Sequence, residues 1–164
     1  MAIPSTRDRV PVHTDPSINE QIEAEIRNSV RVLAANPAGI SARLAELDEE
    51  WDIERAIEAN ASMLAFLGVV LGAFVHPYWL ILPALVTAFL FQHAIQGWCP
   101  PVPILRRLGF RTVHEIERER YALKAVLGDF ANAEQSPQKA LAAVEIAAPV
   151  DEIEPAPVTP RPSL

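Results

Sequence analysis

The sequence predicts an all-α integral membrane protein: a helical hairpin with a cytoplasmic helical arm before it and an amphipathic helix after it. Three observations carry this expectation. No Asp, Glu, Lys or Arg occurs from Ala59 to Leu105, a run longer than the roughly 20 residues that cross a bilayer core and long enough for two crossings. A proline-aromatic break, "HPYW" (His76 to Trp79), divides that run. Helix-period apolar stripes flank it on both sides. A buried helical pair in a soluble protein is the competing reading, and the remaining segments are too polar to wrap two such helices.

Residues 1–16 contain Pro4, Pro11 and Pro16 and show no periodicity, so no fixed structure is expected there. They also lack the apolar core of a signal peptide. A helical arm is expected over 17–56. "SINE" reads as a capping box, with Ser17 capping the first amides and Glu20 reaching back. Ile18, Ile22, Ile26, Val30 and Leu33 then form a narrow apolar stripe until "NPAG" (Asn36 to Gly39) interrupts it. A second helix from Ile40 or Ser41 carries Leu44, Leu47 and Trp51 on one face. Asp48, Glu49, Glu50, Asp52 and Glu54 lie on the other, either solvated or facing a partner or cation. Only single glycines interrupt its periodicity, so it is expected to run straight into the first crossing, Ile57 to Val75. The second crossing is expected from Tyr78 to Gln96, completing a hairpin over 57–98.

Topology follows from the flanks. The turn between the crossings has no Lys or Arg, whereas Arg43 and Arg55 precede the first crossing and Arg106, Arg107 and Arg111 follow the second. The positive-inside rule places both termini in the cytoplasm. Trp51 and Trp98, with Arg106 and Arg107, are expected to mark the inner surface, and Tyr78 and Trp79 the outer. Small residues at Ala61, Ala65, Gly68 and Gly72 in the first crossing, with Ala84 and Ala88 in the second, offer close helix packing. They suit either the hairpin itself or a homo-oligomer, with a dimer favoured.

"CPPVPILRRLGF" (Cys99 to Phe110) is expected as an irregular corner over 99–111, its prolines turning the chain along the surface. Thr112 to Glu115 forms a second capping box, opening a helix over 112–130 with Val113, Ile116, Leu123, Leu127 and Phe130 as its apolar stripe. Its bases suit an anionic leaflet, while its three glutamates allow packing on the acidic helix of the arm instead. A Pro-rich acidic tail without fixed structure is expected over 131–164, with a short helix near Gln138 to Val144.

The net charge of −7 is uneven: twelve acids and six arginines lie in 1–58, and six bases and four acids in 106–130. No basic field for nucleic acid emerges. A single cysteine excludes an intrachain disulfide or CxxC site. No phosphate loop, HExxH or nucleophile elbow is present, so no catalytic residue, metal or cofactor is assigned. Cys99 remains a candidate reactive thiol, since Arg106 and Arg107 would favour a thiolate if they turned toward it. It is otherwise a small residue filling a corner. His93 and His76 lie near helix ends, where an interfacial imidazole needs no special role, and a shared His93–Cys99 metal site would need two chains.

Residues from Trp51 to Thr112 resemble a family of small bacterial inner-membrane two-helix domains, the transmembrane type found in the rhodanese YgaP. The resemblance rests on "WDIERAIE" before the apolar run and on Gly97, Cys99, Pro100, Leu108, Gly109 and Thr112 after it. It implies an inner-membrane hairpin that tends to dimerise and has no chemistry of its own. Nothing resembles a rhodanese active-site loop, so sulfurtransferase activity is not implied. The expected role is a non-enzymatic membrane adaptor or self-associating assembly element with an unidentified cytoplasmic partner. The rival is a thiol protein that carries or senses sulfur or oxidant at Cys99.

Overall fold

The computed structural model describes residues 4–131 and 137–144, and among them every regular element is helical. The helices are α1 (Pro16–Ala35), α2 (Ile40–Glu49), α3 (Ile53–Phe74), α4 (Ile81–Gln96), α5 (Val102–Arg107), α6 (Val113–Leu127) and α7 (Pro137–Ala143). Residues through Leu123 form one compact unit and those from Lys124 another. In the second, Gly128 takes a positive φ of 83° behind α6, and α7 occupies the stretch where a short helix is expected. The tail expected beyond it, 145–164, lies outside the described residues.

α1 begins one residue before its expected cap. Asp15 is the N-cap, accepting hydrogen bonds from the Ser17 amide (2.9 Å) and hydroxyl (2.7 Å). Pro16 sits at the first helical position, where its missing N–H costs nothing. The Ser17 box is therefore displaced by a stronger Asp-Pro start. A turn of 3₁₀ helix over Pro37–Gly39 leads into α2. Ile40 and Leu47 of α2 bury against Ile116 and Leu123 of α6, with Val30 and Leu33 of α1 packed on them. At about 1.5–3 kcal/mol for each fully buried aliphatic side chain, this cluster is the apolar centre of a three-helix head.

The helix expected to continue from the arm into the first crossing is broken. Glu50 is extended (ψ 129°), and Asp52 caps α3 by accepting from the Arg55 amide at 2.8 Å. The break frees Glu50 to pair with Arg111, whose carbonyl accepts from the Ile53 amide at 2.8 Å. The Arg55 guanidinium stacks 4.3 Å over the exposed Trp51 ring.

α3 and α4 pack along each other and supply two stretches long and apolar enough to cross a membrane. A 3₁₀ turn, Pro77–Leu80, joins them. His76 is extended, as its neighbour Pro77 requires, and its Nδ1 accepts from the Tyr78 amide at 3.2 Å. Pro83 lies in the first turn of α4, where no intrahelical N–H bond is lost.

The corner after α4 is not irregular. Val102–Arg107 is a short helix, α5, with Pro101 at its N-cap and Pro103 in its opening turn, where proline is tolerated. The capping box of α6 forms as its sequence predicts: the Glu115 amide donates to Thr112 Oγ1 (3.3 Å), and the Thr112 amide to Glu115 Oε2 (2.8 Å).

The basic segment packs on the acidic arm. Arg118 pairs with Glu23 of α1, Arg120 with Asp48 of α2, and Arg111 with Glu50. At the centre of this layer Glu119, wholly buried, accepts from Ser29 Oγ (2.6 Å), Arg43 Nε (2.9 Å) and Arg111. Burial by itself would raise this carboxyl, but the hydrogen bonds from Arg43, Ser29 and Arg111 outweigh it and hold the group at about 2. A depressed carboxylate contributes stability that is complete above its ordinary value of 4.5 and is lost as pH falls toward 2. The urea midpoint of the head is therefore expected to drop between those values. Glu119→Gln flattens the drop while lowering the midpoint at neutral pH.

Candidate functional site

The N-terminal segment, expected to be unstructured, is instead part of the site. Residues 6–10 form a turn followed by 3₁₀ helix over Pro11–His13. This strap places Val10 in a buried cluster with Ile53, Ala56 and Ile57 of α3, Val102 and Leu105 of α5, and Cys99. The sequence carries almost no signal for this, because one buried valine among prolines has no period.

Two residues secure the strap. Gly97 ends α4 with φ 77°, donating its amide to the His93 carbonyl at 2.7 Å. A Cβ built there would stand 2.2 Å from the Arg9 carbonyl oxygen. The strap backbone thus crosses directly over glycine. Arg9 in turn donates from Nη1 to the Ala94 carbonyl (3.1 Å), and its Nη2 lies 3.7 Å from Glu54 Oε1.

Arg106 is not an interfacial anchor; its side chain is fully buried. It donates to both oxygens of Glu115 (2.7 and 2.8 Å), to the Phe110 carbonyl (3.1 Å), to Asn19 Oδ1 (2.9 Å) and to Thr14 Oγ1 (3.2 Å). One guanidinium therefore joins the strap, α1, α5 and α6. Burial opposes ionisation of Glu115, yet the bonds from Arg106 and the Thr112 amide prevail and lower its titration. Arg107 is exposed, as are Trp51, Tyr78 and Trp79. Trp98 is half-buried, its ring edge-on to Phe89 at 6.4 Å.

Cys99 is 2% exposed. Arg106 turns away from it toward Glu115, so the expected route to a thiolate is missing. Burial pushes the thiol upward, only partly offset by a backbone hydrogen bond from Val102. Cys99 joins Ile57, Leu64, Leu85, Phe89 and Pro101 around an apolar cavity of about 340 Å³ between α3, α4 and the corner. The reactive-thiol reading loses both exposure and activation here. A bulky maleimide is expected to label Cys99 slowly in mild detergent and fully after denaturation; rapid labelling of the folded chain contradicts this.

The small-residue face of α3 is used within the chain. A Cβ at Gly68 would approach Pro83 Cδ to 2.4 Å, and one at Gly72 would approach Leu80 Cδ2 to 2.6 Å. Ala61 and Ala65 are half-buried on this helix. Ala84 and Ala88 are not the counterpart: both are exposed, and Leu80, Leu82 and Pro83 meet the glycines instead. His93 is buried, and neither ring nitrogen has a hydrogen-bond partner.

Among the described residues no three His, Cys, Asp or Glu side chains converge as a metal site. The buried ion pairs of Arg106 with Glu115 and of Arg43 and Arg111 with Glu119 are engaged with one another and act as a scaffold. Compared with known proteins, the chain matches no family model, no curated protein and no solved structure.

Proposed function

We propose that the chain is a membrane-embedded adaptor, in which α3 and α4 cross the bilayer as a hairpin and the head built from the strap, α1, α2, α5 and α6 is presented to cytoplasmic partners. One observation carries this reading. The most apolar stretches of α3 and α4 are only 11% and 6% buried, with Phe66 and Phe91 each more than two-thirds exposed. A soluble protein rarely leaves so much contiguous apolar surface bare; a hydrocarbon phase covers it. The head, by contrast, pairs its most deeply buried charges internally, Arg106 with Glu115 and Arg111 with Glu119.

The arginine distribution supports a cytoplasmic head with both termini on the same side, which in a bacterium would correspond to the inner membrane. The resemblance to the two-helix inner-membrane family agrees with this arrangement. Self-association, with Gly68 and Gly72 engaged in the chain's own packing, falls to the exposed α4 face that carries Ala84 and Ala88.

Alkaline carbonate washing of membranes holding the full chain tests integration. Retention in the pellet is expected, and release to the supernatant overturns the reading. Site-specific photocrosslinking from exposed α1 positions such as Arg27 and Arg31 tests the adaptor role. A discrete protein adduct is expected, and cross-links to lipid or none at all count against it. Oxidative cross-linking of Ala88→Cys in membranes is expected to give a band of doubled mass.

A further inference from the structure

The segment after α4 climbs back along the helix that precedes it. Pro100 and Pro101 stand with Ala61 and Leu64 of α3 and Phe89 of α4 around one apolar cavity, so the corner begins beside the apolar run. Arg111, at the other end, accepts through its carbonyl from the Ile53 amide. From Ala61 back to Ile53, α3 covers about 12 Å at ~1.5 Å per residue. α5 spans that climb with its inner residues, Val102 and Leu105, packed among Ile53, Ala56 and Ile57.

The outer face of α5 is bare. Pro100, Ile104 and Leu108 are spaced four apart and fall on one side of the helix. All three are exposed, Ile104 by 62% and Leu108 by 69%. Arg107, beside Leu108, is exposed as well. Nearby bases lack this freedom: Arg106 is buried against Glu115, and Arg111, Arg118 and Arg120 are taken by Glu50, Glu23 and Asp48.

Level selects what covers this face. α3 turns from charged to uncharged between Glu58 and Ala59, and α5 brackets that boundary, with Pro100 on the apolar side and Leu108 on the charged side. A bilayer places a headgroup layer of roughly 5–7 Å there, between hydrocarbon and water. Apolar side chains flanked by a cation suit that layer, the apolar part facing the acyl boundary and the cation facing phosphate. Trp51, exposed with the Arg55 guanidinium over its ring, lies two residues before Ile53 and marks the same layer. Through Pro100 the face is also continuous with the exposed apolar surface of the hairpin, at Leu64 and Leu85 around the same cavity.

We propose that α5 is an interfacial foot: Pro100, Ile104 and Leu108 rest in the inner-leaflet headgroup layer at successively shallower depth, and Arg107 pairs with lipid phosphate. The inference rests on the membrane reading above. It gives the head its own contact with the leaflet, in addition to the two crossings.

The test places a nitroxide at one introduced cysteine at a time in the full chain carrying Cys99→Ala, reconstituted in vesicles of phosphatidylethanolamine and phosphatidylglycerol. Collision with oxygen reports lipid, and collision with a soluble nickel chelate reports water. Ile104→Cys and Leu108→Cys are expected to give oxygen-to-nickel ratios between those of Phe91→Cys, in hydrocarbon, and Arg31→Cys, in water. Ile104 should be the deeper of the two. Adding Arg107→Glu should shift the Leu108 ratio toward the Arg31 value, and an unmoved ratio removes the phosphate contact. Ratios at both α5 positions equal to that of Arg31 overturn the proposal, as does a Leu108 label deeper than Ile104. Shielding from both reagents also overturns it and assigns the face to a protein, a second copy included. The Phe91 label separates the two readings. Water-like collision there removes the membrane assignment, whereas lipid-like collision there with water-like Ile104 and Leu108 removes the foot alone.

Discussion

Arg106→Ala is expected to destabilise the head by about 3–5 kcal/mol, the range for removing one member of a buried ion pair. The guanidinium makes five hydrogen bonds across four segments, and its loss leaves the buried Glu115 without its cation. Domains commonly have only about 5–15 kcal/mol of net stability, so much of the head's margin would go. Thermal unfolding by circular dichroism in mild detergent gives the size, and trypsin sensitivity of the strap gives the place. The double substitution Arg106→Met with Glu115→Leu is expected to recover a large part of the loss, because removing both charges leaves none stranded. Were Arg106 an anchor to headgroups, its removal in detergent would change the midpoint little, and a near-neutral result would reject the buried role.

Gly97→Ala is the second large effect. An L side chain at φ 77° carries an intrinsic cost of about 1–2 kcal/mol. The new Cβ also meets backbone, 2.2 Å from the Arg9 carbonyl oxygen, which cannot rotate away as a side chain would. Overpacking of this kind typically adds about 1–3 kcal/mol. Release of the strap is the expected response, read as rapid tryptic cleavage at Arg7 and Arg9 while α6 stays protected. Gly109→Ala is the matched control. Its φ of 90° is equally unfavourable, but nothing lies within 4 Å of the added carbon. It should show the conformational cost alone and keep the strap protected; equal strap release in both variants would contradict the clash.

The helices were largely legible because burial leaves a period. Ile22 and Ile26, Ile40 and Leu47, and Ile116 and Leu123 all lie inside, and the Thr112–Glu115 box closes as its spacing requires. Gly97 and Gly109 adopt positive φ, and Thr112 caps α6. What escaped detection is long-range and aperiodic. The strap docks through Val10, Thr14 and Arg9, whose partners lie far along the chain. The prolines of α5 mimic a breaker while serving as a helix start. Arg106 and Arg107 are adjacent and identical in type, yet one is interior and the other exposed; only the position of Glu115 in three dimensions separates them. The Glu50–Asp52 break was hidden by continuous helical periodicity, because its cause, Arg111, comes some sixty residues later.

The strap also sets an order of events during synthesis. It leaves the ribosome before the residues that hold it, for Ala94 and Arg106 lie 85 and 92 residues behind its own bonding atoms. At about 5–20 residues per second, the N-terminus waits roughly 5–20 s for a seat. Both apolar helices must be made in that interval before the seat exists. Closure of the head is therefore a late event, and it acts as a local checkpoint: the strap becomes protease-resistant only after the segment following α4 has emerged and folded against it.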